Sequence, residues 1–238
     1  MLKTAIRAGL IALAVPAAAS AATYDAYSSF NGTNPAGNFQ YKSGGVLLTA
    51  PSGDCVTGLT GITCLQTAAG TDGAGFYASQ NNLTLSTDGG TNNVHISNTE
   101  LTVSPDTGAG VFFVAPTAGT YSIYALFNAE DDLATGVTIT RFLSLSGVNT
   151  FSPVGAANSV PSNMSFNTIV TLGAGDTFGF LFGPGQVNDH DLTGFSFTVS
   201  DAVPEPATWM TMLLGFGLIG LAMRRRSSRP QRVQSLPV

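Results

Sequence analysis

Between residues 22 and 203, apolar side chains recur at every second position in short runs separated by Gly, Asn, Asp and Pro. Tyr121, Ile123, Ala125 and Phe127 share one face of an extended segment. Phe178, Phe180 and Phe182 repeat the pattern, and so do Phe195, Phe197 and Val199. A period of two is that of a half-buried strand, and no part of this span carries the 3.6-residue period of an amphipathic helix. Asp72-Gly73 and Asp88-Gly89-Gly90 are turn signals, and Ala118-Gly119 and Gly173-Ala174-Gly175-Asp176 lead into strands. The spacing predicts about ten to twelve strands, which suits an all-β, two-sheet sandwich of jelly-roll type. With no internal repeat and no long linker, residues 22–200 are expected to form one domain, and residues 201–206 a short linker.

The two ends break the pattern. Lys3 and Arg7 precede the apolar run Ala8–Val15, Pro16 ends that run, and Ala19-Ser20-Ala21 follows as an A-x-A cleavage site. Residues 1–21 therefore read as a secretory signal peptide, with the mature chain starting near Ala22. The run is too short for a membrane anchor. At the other end, Val203-Pro204-Glu205-Pro206 is followed by the 17-residue apolar run Ala207–Met223 and by Arg224-Arg225-Arg226. As a helix that run spans roughly 26 Å, near the hydrocarbon thickness of a bilayer. The arginines would stay cytoplasmic, leaving residues 224–238 as a basic tail. Gly215, Gly217 and Gly220 would let a second helix approach closely.

Pro204-Glu205-Pro206-Ala207-Thr208-Trp209, the run Met212–Gly220 and Arg224-Arg225-Arg226 resemble the PEP-CTERM sorting signal, in particular its PEPxxWA subtype. The same tail goes under the name of an ice-binding protein C-terminal domain, which implies nothing about ice here. The resemblance covers residues 204–226. It departs from the subtype at Met210, where Ala is usual, and in the twelve residues Ser227–Val238 that trail the arginines. It implies a Gram-negative bacterium that makes extracellular polysaccharide. It also implies recognition and cleavage near Pro204, Glu205 and Pro206 by an exosortase, a membrane-embedded cysteine transpeptidase-like enzyme. Trp209 and Arg224, Arg225 and Arg226 belong to that recognition element, which makes it a processing site and not a catalytic one.

Composition sharpens the picture. Charged residues are only 10% of the 238, while hydrophobic residues reach 44%, enough for a sizeable core. The net charge of −5 hides an asymmetry. Within 22–205, Lys42 and Arg141 face all 14 acidic residues, a balance of −12. That excludes a nucleic-acid partner, which needs clustered Lys and Arg on the fold.

A second, weaker resemblance covers most of residues 24–200. Asn34-Pro35-Ala36-Gly37-Asn38-Phe39-Gln40-Tyr41 resembles the opening "NPxGxWxY" strand of exported jelly-roll modules. Val111–Tyr121 is similar to their "APxAGxY" strand pair, Leu172–Phe178 to their "L-x-x-GD" turn, and Asn188–Gly194 to the "D-x-TG" segment after it. These are features of galactose-binding-like and carbohydrate-binding β-sandwiches, and they imply a glycan partner.

The reactive side chains are few. Cys55 and Cys64 flank a Gly-containing loop in a chain read as exported, so they predict a disulfide. No Cys-x-x-Cys spacing or nearby His favours a redox or metal site instead. Two acidic clusters, Glu130-Asp131-Asp132 and Asp189 with Asp191, are candidate Ca²⁺ ligands, because Ca²⁺ takes six to eight oxygens from such loops. The competing reading is that short acids bond their own backbone in turns. His190 lies between Asp189 and Asp191, and His95 in a strand Val94–Ile96 as a sheet-face residue. No G-x-S-x-G, H-E-x-x-H or P-loop motif is present. A facing carboxylate pair could hydrolyse a glycoside, but no spacing in the chain points to one. Tyr24, Tyr27, Phe30, Phe39, Tyr41, Phe76 and Tyr77 cluster in the first third, with core packing expected for most and Tyr24 and Tyr27 the least committed.

The reading of the whole is a non-enzymatic, exported β-sandwich handled by the secretion machinery and an exosortase. It is held at the inner membrane or released from it, and associates with exopolysaccharide, with Ca²⁺ as the one candidate cofactor. The alternatives are a secreted glycan hydrolase or lyase, and a ligand-free structural surface protein.

Overall fold

The computed structural model describes residues 21–51, 55, 61–67, 74–87, 90, 92–105, 108–131, 137–156, 164–184, 191–202, 214–220 and 224. The chain divides into Ala21–Ala202, which carries the sheets, and the two ends, Met1–Ser20 and Val203–Val238. In chain order the first unit runs β1 (Thr23–Asp25), α1 (Ala26–Ser29), β2 (Phe39–Ser43), β3 (Val46–Leu47), β4 (Ile62–Gln66) and β5 (Gly75–Ser79). Next come β6 (Leu83–Thr87), β7 (Asn92–Ile96), β8 (Leu101–Ser104), β9 (Ala109–Val114) and β10 (Gly119–Ala129). The last strands are β11 (Val137–Leu145), β12 (Val148–Ala156), β13 (Met164–Leu172), β14 (Thr177–Pro184) and β15 (Thr193–Asp201).

Two antiparallel sheets pack face to face. One has the order β13-β10-β15-β8-β5-β4 with β1 beside β15, the other β12-β11-β14-β9-β2-β3, and β6 with β7 forms a separate hairpin. The expected all-β sandwich is therefore present. The described strands outnumber the about ten to twelve expected, because β1 and β3 are only three and two residues long and a period of two is not legible over such lengths. α1 is a single turn, capped by Asp25, whose Oδ1 accepts from Ser28 N at 2.7 Å.

The alternation along the long strands sets the core. On β10, Tyr121, Ile123, Ala125 and Phe127 are buried, and Phe178, Phe180, Phe182, Phe195, Phe197 and Val199 meet them from β14 and β15. The aromatic rings interlock edge to face, as in Phe127–Phe180 at 5.3 Å and Phe180–Phe197 at 5.2 Å between centroids. Burying one such ring stabilises the fold by roughly 2–3 kcal/mol. Tyr24 and Tyr27 also pack against this core. The Tyr24 ring lies tilted against Phe113, 5.1 Å between centroids, and Tyr27 Oη donates to the carbonyls of Ser79 and Asn98.

The quoted turn motifs have structural work. Asn34 Nδ2 donates to the carbonyls of Tyr41 and Leu48 while its Oδ1 accepts from Tyr41 N, which ties β2 to the strand after it. Asp176 closes the turn before β14 by accepting from Gly173 N at 2.7 Å and Ser146 N at 2.8 Å. Those two donors hold its carboxyl below the ordinary aspartate range.

Candidate functional site

Each sheet keeps one face for the core, so the chemistry lies on the two outer faces. On the seven-stranded sheet the register places Asn128, Gly194, Thr102, Tyr77 and Cys64 side by side on β10, β15, β8, β5 and β4. Their neighbours along the strands, Phe127, Phe195, Leu101, Phe76 and Leu65, are core residues, so this row faces outward. It is nonetheless covered, since Thr102 is 1% exposed.

The cover comes from the segment 97–100, the end of β10 and the hairpin β6–β7. His95 N donates to Glu130 O at 2.6 Å and Val94 bridges to Asp131, which fixes the hairpin to the end of β10. Asn98 N donates to Asn82 Oδ1 at 2.9 Å and its carbonyl accepts from Tyr27, which fixes the segment leading to Glu100. Between these elements lies a cleft of about 290 Å³ lined by His95, Ser97, Glu100, Asn128 and Glu130 among others.

Two carboxylates converge at the position where Gly194 has no side chain. A Cβ there would sit 2.8 Å from Glu100 Oε1 and 3.1 Å from Glu130 Oε1. Asn128 Nδ2 donates to Glu100 Oε2 at 2.7 Å, and Ser97 N to Glu130 Oε1 at 3.3 Å. Glu130 is 3% exposed. Burial pushes its carboxyl up to about 8, against the opposing pull of the Thr102 hydroxyl and Ser97 N–H, and the charge of Glu100 adds to the rise. Burial also raises Glu100, with the Asn128 amide working the other way.

The six-stranded sheet has a different outer row. Gln40, Phe112, Gly179, Phe142 and Phe151 lie side by side on β2, β9, β14, β11 and β12. Phe112 and Phe142 meet edge to face at 5.1 Å, and Phe142 and Phe151 at 5.4 Å. Gly179 lets the rings close over the strand, because a Cβ there would meet Phe112 Cδ1 at 2.8 Å and the carbonyl of Val111. Lys42 Nζ stands 5.3 Å from the Phe112 ring. Exposure rises outward along the row, from buried Phe112 to Phe151 at 60%.

The candidates read from sequence are dispersed. Cys55 and Cys64 form the expected disulfide. Glu130, Asp131 and Asp191 are all buried, but Asp131 bridges to Val94 while Glu130 meets Glu100, a residue the acidic runs did not single out. Asp132, Asp189 and His190 lie outside the described residues. Among the described residues no group of three or more His, Cys, Asp or Glu converges as metal ligands. His95 is an exposed sheet-face residue as expected, opposite Thr84. Pro204, Glu205, Pro206, Trp209, Arg225 and Arg226 lie outside the described residues, and Arg224 is exposed. Within the expected span 207–223, Leu214–Gly220 are helical. Among the described residues no helix is long and apolar enough to cross a membrane.

Comparison with known proteins adds one sequence match and several likenesses of strand layout. Residues 202–226 match the PEP-CTERM protein-sorting motif. No curated protein matches the chain. Among solved structures it is similar to a family 35 carbohydrate-binding module from Cellvibrio japonicus, at 16% identity and TM-score 0.26 over 39% of this chain and 64% of that one. It is also similar to a Podospora anserina β-(1,4)-mannanase that carries a family 35 module, at 14% and 0.30 over 78% and 28%. A third is a family 35 module from Clostridium thermocellum, at 11% and 0.31 over 76% and 98%. The chain thus spans under two thirds of the length of the first two.

Proposed function

We propose that this protein is an exported surface or matrix component that an exosortase sorts through its tail and that associates non-covalently with exopolysaccharide. The sorting half rests on the match at residues 202–226. In this reading residues 1–21 are a signal peptide, 207–223 cross the inner membrane, and 224–238 stay cytoplasmic until processing near Pro204-Glu205-Pro206.

The observation that carries the glycan half is the aromatic row Phe112, Phe142 and Phe151, with Gln40 at its end and Lys42 over the Phe112 ring. The apolar face of a pyranose packs on exposed rings, and neighbouring amide and ammonium groups bond its hydroxyls. Phe151 on β12, 60% exposed, is the contact ring, and Phe142 extends it inward.

Glycan hydrolysis has one observation in its favour, the converging Glu100 and Glu130. Glu130, however, is 3% exposed beneath the hairpin, and a general acid must reach the glycosidic oxygen. We therefore read the protein as non-catalytic.

The test is co-sedimentation of the full chain, in detergent, with polysaccharide from the producing organism, in Ca²⁺ and in EDTA. Wild type should pellet, and Phe151→Ala and Phe142→Ala should stay in the supernatant. If both variants pellet like wild type, the aromatic row is not the binding face.

A further inference from the structure

We infer that removal of the signal peptide after Ala21 creates the partner of a buried carboxylate: the new α-ammonium group of Ala22 donates to Asp201, and this ion pair locks the first and last strands of the sandwich at the root of the tail. The inference rests on the reading of residues 1–21 as a signal peptide. It is independent of the glycan reading, which concerns an outer face.

Three observations carry it. The first is an orphaned oxygen. Asp201 Oδ1 is buried and accepts no hydrogen bond among the described residues. Asp201 continues the inward alternation of Phe195, Phe197 and Val199 on β15, so its carboxyl sits at the rim of the core. A carboxylate oxygen withdrawn from water without a partner is costly. The second is the register. β1 pairs with β15 through Thr23 and Ser200, which puts Ala22 opposite Asp201, and Asp201 N donates to Ala22 O at 2.9 Å. Paired Cα atoms of antiparallel strands are about 5 Å apart, so a charged nitrogen on Ala22 reaches the Asp201 carboxyl with no movement of either strand. The third is the supply of positive charge. Between residues 22 and 205 the only lysine and arginine are Lys42 and Arg141. Lys42 Nζ stands over the Phe112 ring and Arg141 Nη2 donates to Ser152 Oγ at 3.0 Å, both on the other sheet. The α-ammonium is the cation that processing adds, and the pairing of β1 with β15 delivers it to Asp201.

The charge arrives only with processing. In the precursor the nitrogen of Ala22 is an uncharged peptide amide. Hydrolysis of the Ala21–Ala22 bond by a signal peptidase gives the water oxygen to the Ala21 carboxylate and leaves Ala22 with an amine, which takes up a proton near neutral pH because such amines titrate at about 7.7–8.0. The titratable groups that face Asp201 are Tyr24 on β1 and Tyr121, its register partner on β10. Burial raises the Tyr24 hydroxyl and the charge of Asp201 adds to the rise, which places the carboxyl towards β1. Neither tyrosine supplies a positive charge. Removal of the leader is thereby felt at the far end of the fold, one residue before Ala202.

The test uses the full chain, exported in a bacterial host and extracted in detergent. Its N-terminal residue is identified first, by sequential degradation. The α-amine is then ¹³C-methylated, which keeps its charge, and titrated by NMR. Ala22 is expected at the N-terminus, with an amine that titrates at about 8.5 or higher, above the ordinary 7.7–8.0. In Asp201→Asn, confirmed folded by circular dichroism, the amine should return to that ordinary range, and the backbone amides of residues 201 and 202 should exchange with deuterium about threefold faster. A different N-terminal residue overturns the leader boundary and the lock together. Ala22 with a wild-type amine in the ordinary range overturns the lock and leaves the boundary standing. An amine equally high in wild type and in Asp201→Asn overturns Asp201 as its partner.

Discussion

The two outer faces of the sandwich use the same backbone device for opposite contents. Each has a glycine near the start of a central strand, Gly194 on β15 and Gly179 on β14. Over Gly194 the neighbours bring carboxylates, an amide and a hydroxyl, and a hairpin covers them. Over Gly179 they bring phenyl rings, and the row runs outward to an open edge. A missing Cβ therefore does not define a site. It opens a slot in the pleat, and the flanking strands decide what fills it.

Four perturbations test how far the two faces differ. The largest effect should come from pH at the covered face. Burial pushes the carboxyl of Glu130 up to about 8 from its ordinary 4.5, so the folded state holds a proton that the unfolded chain has lost across that interval. Stability is then full below about pH 4.5, falls as pH rises, and levels off above about 8, with a ceiling on the loss of roughly 5 kcal/mol. Urea midpoints of the full chain across pH 4–9 would read this. Glu130→Gln should flatten the slope, and an unchanged slope would show that Glu130 is not its source.

Next is Gly179→Ala, which drives a methyl into backbone and ring together and should lose about 3 kcal/mol by chemical denaturation. Gly194→Ala should lose less, about 1–2 kcal/mol, because its Cβ meets side-chain ends that can turn away. If the order of these two reverses, the carboxylates over β15 are held more rigidly than the rings over β14. Smallest in stability is Phe151→Ala, at less than about 0.5 kcal/mol, because the ring is already exposed. Its signature should appear in polysaccharide affinity, weakened roughly tenfold in a depletion assay. A variant that loses stability but keeps affinity would make this face a packing surface instead.

What the sequence made legible follows the same division. The inward face was readable wherever a strand was long and one-sided, as on β10, β14 and β15. The outer rows were not, because they are assembled across strands. Phe112 sits in the run Val111-Phe112-Phe113-Val114, where unbroken apolarity hides which ring faces out. Glu130 and Asp131 look like one cluster by adjacency, yet Asp131 bridges to β7 while Glu130 meets Glu100 across β15. The partner carboxylate lies thirty residues earlier in the chain, and only the pairing of β8 and β10 with β15 brings it near. The disulfide was legible because both its residues flank one short loop and no other cysteine competes.

β15, the last strand before the sorting tail, bears on how the molecule responds to load. It is hydrogen-bonded along its full length to β10, through nine residue pairs, and on its other side to β8 and β1. Asp201 N donates to Ala22 O at 2.9 Å and Ala202 N to Thr120 O at 2.8 Å, so the clamp reaches the very residue where the tail departs. In the proposed reading, tension drawn through the tail against polymer held on the opposite sheet would enter the fold through β15. The antiparallel ladders resist it in shear, many bonds at once, and do not unzip one by one. In that reading, a tether leaving from a central strand would make the fold a mechanical anchor.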